Sequence, residues 1–315
     1  TKPGGTYDVS DFLAVQQGDQ DDDGAFYMTT VAMGPATPIT YAMANFTDFY
    51  DVVKIADVRQ EEEDDEEYNV RQLKYMTDSQ FNATYVAFNR AGLDYQITYK
   101  GLYVLNVLAK GAADGVLKPG DEIVEADGQR IMSLETFRDI ITPKTKGDQI
   151  RLVVKRNDKL IDETLAIKEI PGGDGRYGIG ITYSESKSIK TDPKVTVKTE
   201  DIGGPSAGLM FTLELLNQLI DEDITKGYEI AGTGEMLEDG TVGRIGGIEK
   251  KIVSADKEGI AIFFAPDDEL TEAMLEYNPN IESNYETARK TAEKIKSDMK
   301  VVPVKTIDDA LDYLE

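Results

Sequence analysis

The chain has 315 residues, 40% of them apolar, enough to fill more than one packed core and too many for a disordered polymer. Its 34 Lys+Arg against 59 Asp+Glu give a formal charge of −25, which repels nucleic-acid phosphate and, with no basic patch in view, excludes a nucleic-acid partner. His and Cys are absent, which excludes the Ser-His-Asp triad, cysteine nucleophiles, Cys/His zinc sites and disulfides, so catalysis must fall to Ser, Thr, Lys, Tyr or carboxylates. No apolar run approaches the ~20 residues that span a bilayer. The sequence opens at Thr1 without an initiating Met, so a targeting or anchoring segment is expected to lie outside it.

Residues 12–16 and 25–33 read as strands of a hairpin around an acidic turn. Asp19, Asp21, Asp23 and Gly24 stand in the phase of a calcium loop, but Thr30 occupies the twelfth place, where a bidentate Glu is needed. A solvated turn is expected there, with no metal. Residues 61–67 are seven consecutive carboxylates, expected to be solvated and to favour the N-terminus of the helix that follows. Val70, Leu73, Met76, Phe81, Ala83, Val86 and Ala87 recur at helical spacing, predicting one amphipathic helix over 68–90 that stops at Ala91-Gly92.

A compact module follows from about residue 99 to 168, with strands predicted at 102–108, 122–126, 150–155 and 163–167 and a short helix over 133–141 capped by Ser133. Residues 171–175, Pro-Gly-Gly-Asp-Gly, read as a linker or wide turn. Beyond them the pattern alternates strand and helix. Strands are predicted at 178–183, 194–198, 228–232, 261–265 and 301–304, helices over 206–220, 249–257, 285–299 and 307–314, and a hairpin around 238–240.

In the module, Gly101-Leu102-Tyr103-Val104 precedes a strand, and Gly111-Ala112-Ala113, Leu117-Lys118-Pro119-Gly120-Asp121-Glu122-Ile123 and Asp127-Gly128 follow. These residues resemble a PDZ domain of the kind found in bacterial proteases, which implies capture of peptides or of the C-termini of proteins. On this reading the amides of Gly101, Leu102 and Tyr103 converge on a terminal carboxylate, and the strand from Val104 to Val107 offers an open edge beside the 133–141 helix. A groove filled by the protein itself, or a module serving as a spacer, is the other reading.

Gly203-Gly204-Pro205-Ser206-Ala207-Gly208 sets a Ser at the start of an apolar helix, after residues that allow unusual dihedrals. Ser206 is placed as a nucleophile whose neighbouring amides face a developing oxyanion, with Gly204, Pro205 and Ala207 shaping the turn. An ordinary helix N-cap uses the same residue type. In Gly246-Gly247-Ile248-Glu249-Lys250-Lys251-Ile252-Val253-Ser254-Ala255, helical spacing puts Lys251 on one stripe with Ile248, Ile252 and Ala255, and Glu249 and Lys250 on the solvated side. A lysine facing inward loses hydration of its charged form and becomes a general base near neutral pH; a snorkelling surface lysine is the alternative.

Gly-Pro-Ser-Ala-Gly, Thr233-Gly234-Glu235 and Gly-Gly-Ile-x-x-Lys, in this order, resemble the proteolytic domain of the Lon family. The resemblance implies Ser206 as nucleophile, Lys251 as general base and Thr233 as a hydroxyl near the lysine. Many family members carry Asp three residues before the Ser; here that place is Gly203, with Asp201 nearby. The 12–33 segment and the helix end Asp78-Ser79-Gln80-Phe81-Asn82-Ala83 resemble the start of the same domain. The expected fold is therefore α/β (α+β), a Lon-type domain in two parts, 1–97 and 171–315, with a mainly β PDZ domain at 98–170 inserted. The arrangement resembles PDZ-containing Lon-like proteases of Gram-positive bacteria, which implies an anchored, extracytoplasmic enzyme. No phosphate-loop sequence is present, so hydrolysis is expected to need neither ATP nor another cofactor. Peptides or flexible protein segments are the expected partners, the membrane is met only through a segment outside this sequence, and homo-oligomeric assembly is compatible with this reading. A peptide-binding scaffold that does not cut is the alternative.

Overall fold

The computed structural model describes residues 1–19, 23–44, 46–60, 63–199 and 202–315. Asp21 in the calcium-like turn, Glu61 and Glu62 in the acidic run, and Asp201 lie outside the described residues. The fold begins with β1 (Lys2–Asp8), β2 (Leu13–Val15), β3 (Ala25–Ala32), α1 (Pro38–Ala44) and the long α2 (Asp65–Ala91). Next come β4 (Tyr95–Val107), β5 (Glu122–Ala126), β6 (Gln129–Arg130), α3 (Leu134–Ile141), β7 (Gln149–Arg156), β8 (Lys159–Ala166), β9 (Lys168–Glu169), β10 (Tyr177–Gly178) and β11 (Ile181–Thr191). It continues through β12 (Val195–Val197), α4 (Gly208–Leu219), β13 (Glu229–Gly232), β14 (Glu235–Met236), β15 (Val242–Gly243) and α5 (Ile248–Lys257). The last elements are β16 (Ile262–Pro266), α6 (Glu272–Tyr277), α7 (Asn284–Ile295), β17 (Lys300–Val304) and α8 (Ile307–Leu314).

Two compact units form, one from Thr1–Asp57, Tyr75–Tyr95 and Thr191–Glu315, the other from Val58–Lys74 and Gln96–Lys190. The first holds a five-stranded sheet ordered β1-β3-β13-β16-β17, parallel from β3 to β17 with β1 antiparallel at one edge. Alternating side chains on these strands feed two cores, as a sheet covered on both faces requires. Phe26, Met28, Ile230, Ile262 and Phe264 pack with α4, α8 and the C-terminal half of α2, whereas Tyr27, Ala231, Phe263 and Ala265 pack with α5 and α7. The expected hairpin across the acidic turn does not form. β2 pairs with β12, and β3 pairs with β1 and β13, because the apolar residues of β3 are needed in the central sheet.

The second unit carries a sheet ordered β11-β4-β5-β7-β8, wrapped with α3 around a core that includes Leu102, Val104, Ile123, Phe137, Ile150 and Ile179. It extends past residue 170 to Lys190 because β11 pairs with β4, and residues 171–175 form the turn of the small β9–β10 ribbon. Within the acidic run Glu63 is buried, not solvated; Arg71 hydrogen-bonds its carboxylate at 2.7 Å and holds its pKa below the ordinary value. No helix among the described residues is long and apolar enough to cross a membrane.

Candidate active site

Ser206 lies in the turn before α4 and not in the helix. The N-cap is Ala207, which makes no side-chain cap bond, so the Ser206 hydroxyl is not spent on capping. Gly204 has φ 89°, a conformation that favours glycine, and lets the backbone reverse direction just ahead of Ser206. The turn is fixed from several sides. Ser79 Oγ on α2 donates to the Pro205 carbonyl at 3.0 Å, Gln80 Nε2 to Thr199 Oγ1 at 2.6 Å, and Gly208 N–H to the Pro205 carbonyl at 3.2 Å. The Ser206 carbonyl accepts from Gly234 N–H at 2.9 Å and from Thr233 Oγ1 at 3.0 Å. Among the described residues no acceptor takes the Ser206 or Ala207 amide, and Ser206 itself is partly exposed.

Lys251 arrives from the opposite layer. Ile248, Ile252 and Ala255 are buried under the sheet, and the same stripe carries Lys251 inward to 3% exposure. Its Nζ donates to the Thr29 carbonyl at 2.6 Å and stands 3.0 Å from Ser206 Oγ. Burial is the sole cause acting on the amine and lowers its pKa from 10.5 to about 7. The α4 and α5 layers thus meet near the carboxyl ends of parallel strands β3 and β13, where an open α/β sheet leaves room for a ligand.

Two expectations are corrected here. The Thr233 hydroxyl, fully buried, serves the Ser206 main chain and not the Lys251 amine. Lys250, expected on a solvated face, is 3% exposed and bonded to Asp51 and Glu249. Burial alone would depress the Lys250 pKa, but those two carboxylates outweigh it and raise it, so adjacent lysines hold opposite preferences for the proton. Sequence reasoning passed over three supporting groups. The Thr29 carbonyl has no side-chain signal at all; Asn284 clamps Ile245 through both its main-chain groups, at 2.8 and 3.1 Å, ahead of α5; and Asn82 donates to the Met236 carbonyl at 2.9 Å. Glu235, half-buried, has its pKa raised by burial and by Asp78. Among the described residues no cluster of acidic side chains could hold a metal ion.

The peptide-binding loop expected at Gly101, Leu102, Tyr103 and Val104 is also corrected. These residues sit inside the sheet: β4 has β11 on one side and β5 on the other, with Leu102 opposite Ile123 and Tyr103 opposite Glu122. Leu102 and Val104 are fully buried, and a Cβ on Gly101 would stand 2.3 Å from the Ile123 carbonyl. The open edge belongs to β11. Its Tyr183 ring meets Phe137 of α3 edge-on at 5.8 Å. Ahead of it Gly180 has φ 75°, the carbonyls of Ile179 and Gly180 are taken by Ala113 and Leu108, and among the described residues no acceptor takes the Ile179 or Gly180 amide.

Residues 79–167 match the PDZ domain family and residues 199–314 the Lon protease (S16) C-terminal proteolytic domain. The protein is therefore a PDZ-containing relative of the Lon proteases. It is 26% identical over 174 residues to the Lon protease of Metamycoplasma arthritidis, covering 55% of this sequence and 18% of that protein. It is 37% identical over 83 residues to the mitochondrial Lon protease homolog of Neurospora crassa, covering 26% of this sequence and 7% of that protein. These matches thus span under a fifth of the length of these relatives. Among solved structures, the PDZ domain of the SdrC-like protein from Listeria monocytogenes is 36% identical, covering 28% of this sequence and 92% of that one, with a TM-score of 0.26.

Proposed function

We propose that the protein is an ATP-independent serine endopeptidase with a Ser206/Lys251 dyad. The observation that carries the reading is a buried amine, with no counter-ion among the described residues, 3.0 Å from the hydroxyl of a partly exposed serine. The neutral Lys251 amine takes the Ser206 proton as Oγ bonds to the substrate carbonyl carbon. The negative oxygen is met by the Ser206 and Ala207 amides, and the ammonium gives its proton to the departing amine. Water then attacks the acyl ester, losing its proton to Lys251, and Ser206 is released as the alcohol. Thr233 acts on the reaction by holding the Ser206 main chain.

The sign of the pH dependence follows from the depressed pKa: below about 7 the amine is charged and unable to accept a proton. The rate of casein cleavage should fall about tenfold per pH unit below that point and level off above it. A rate flat from pH 5 to 9, with the protein folded throughout, removes the lysine base. The same reading carries an anchored, outward-facing placement, which fractionation of the native protein tests.

The PDZ unit, on this reading, selects substrate through β11. A peptide adds as a strand to its free edge beside α3, and its terminal carboxylate meets the Ile179 and Gly180 amides. Titration of the full-length protein with an apolar-ended peptide should perturb the Ile179 to Tyr183 amide resonances and leave Leu102 to Val104 unmoved. Amidating the peptide C-terminus should weaken binding at least about tenfold. Equal binding of both forms would remove the carboxylate site.

A further inference from the structure

On the strand whose Thr29 carbonyl takes Lys251 Nζ, and on its neighbour, two buried hydroxyls have no hydrogen-bond partner among the described residues: Thr29 Oγ1 on β3 and Thr6 Oγ1 on β1. They are not scattered. Thr6 and Thr29 stand directly opposite each other in the antiparallel β1–β3 pair, so their side chains share one face of the sheet. That face is the one under α5. Tyr27 belongs to the core beneath α5 and α7, and a Cβ on Gly247, at the start of α5, would lie 2.9 Å from Val31. Thr29 falls between Tyr27 and Val31 at strand period. From above, Ser254 Oγ on α5 donates to the Gly4 carbonyl of β1 at 3.1 Å, one helical turn beyond Lys251.

The lysine has a matching deficit. A neutral amine offers two N–H groups and one lone pair. When Ser206 donates its proton to the lone pair, one N–H is satisfied by the Thr29 carbonyl, and the described residues supply no acceptor for the other. A buried hydroxyl left without a partner is destabilising, and a water bridging two to four polar groups relieves several such deficits together. We propose that the Thr6 and Thr29 hydroxyls hold a buried water that accepts the remaining N–H of Lys251, making both threonines positioning residues for the general base.

Besides Lys251, the titratable groups on these three elements are Tyr27 on β3, Lys2, Tyr7 and Asp8 on β1, and Glu249, Lys250, Asp256 and Lys257 on α5. None of them contributes to the Lys251 shift, which has burial as its only cause. A water held by the two hydroxyls accepts more strongly from the charged amine than from the neutral one, so replacing the hydroxyls with methyl groups should depress the amine further.

The inference rests on the reading of Lys251 as base, and the test separates the two. In the full-length protein labelled at lysine Cε, NMR titration reads the Lys251 midpoint without reference to activity. The Thr6→Val/Thr29→Val variant should titrate about one pH unit below the unaltered protein, and the Thr6→Ser/Thr29→Ser variant close to it. A folded valine variant with an unchanged or raised midpoint overturns the inference. Should that variant not fold, a high-resolution crystal structure of the unaltered protein decides: density for a water within reach of both hydroxyls supports the proposal, and its absence overturns it. Absence of casein cleavage alongside a lowered valine midpoint would sink the peptidase and leave the water site standing.

Discussion

Ser206→Ala and Lys251→Met variants should each lose casein cleavage by at least about 10⁴-fold while remaining folded, since nucleophile and base act as one unit and removing either removes the acyl-enzyme route. The two variants should then part company in stability. Between about pH 7 and the ordinary 10.5, the unfolded state holds the Lys251 proton and the folded state does not. The unfolded state binds more protons, so the stability of the native protein rises with pH across that window. Below pH 7 both states are protonated, and the cost of a buried ammonium is fully present. Methionine fills the same channel without charge. Lys251→Met should therefore be more stable than the native protein at neutral pH, by on the order of 2 kcal/mol, with the gain vanishing toward pH 10.5. Ser206→Ala should retain the native pH slope. Denaturant titrations at pH 7 and pH 10 read both effects, and a Lys251→Met variant destabilised at neutral pH would show that the amine is not held against its solvation.

The amine was legible in the sequence because helical periodicity is local: Lys251 shares a stripe with Ile248, Ile252 and Ala255, and the fold buries that stripe. The same rule failed one residue away. Lys250 lies off the stripe and is buried regardless, because Asp51, about two hundred positions earlier, reaches it. Strand pairing was the larger loss. The residues that form β2, β3, β4 and β11 carry strand signals, yet nothing in them states that β2 seeks β12 or that β11 closes the sheet over β4. The open edge of that sheet was accordingly assigned one strand too far inside. The PDZ family match, ending at residue 167, stops short of β11 as well. Thr233 illustrates a third limit. A hydroxyl near a lysine in a motif and a hydroxyl bonded to a carbonyl are the same letter, and only the Ser206 main-chain geometry separates them.

A Gly208→Val variant should lose most of its cleavage activity with both members of the dyad intact. Gly208 opens α4 and is fully enclosed; a Cβ there would stand 2.7 Å from the Met236 amide nitrogen and 2.8 Å from Ser79 Oγ. The first obstacle is backbone and cannot rotate away. The second is the hydroxyl that fixes the Pro205 carbonyl. A branched side group must therefore push α4 away from β14 or expel Ser79 from its bond, and either displaces the turn bearing Ser206. Overpacking of this kind typically costs about 1–3 kcal/mol, small enough for a folded protein at room temperature. A shift of about 1 Å at a catalytic hydroxyl costs on the order of 10²-fold in rate. The expected signature is a kcat reduced about a hundredfold with KM nearly unchanged, because the defect lies in the approach of Ser206 to Lys251 and not in peptide capture. Gly246→Ala supplies the control: a Cβ at Gly246 meets nothing within 4 Å, and its cleavage should stay within about threefold of native. Native kcat in a folded Gly208→Val variant would mean that the Pro205–Ser206 turn is positioned by something other than its seat between α2 and β14.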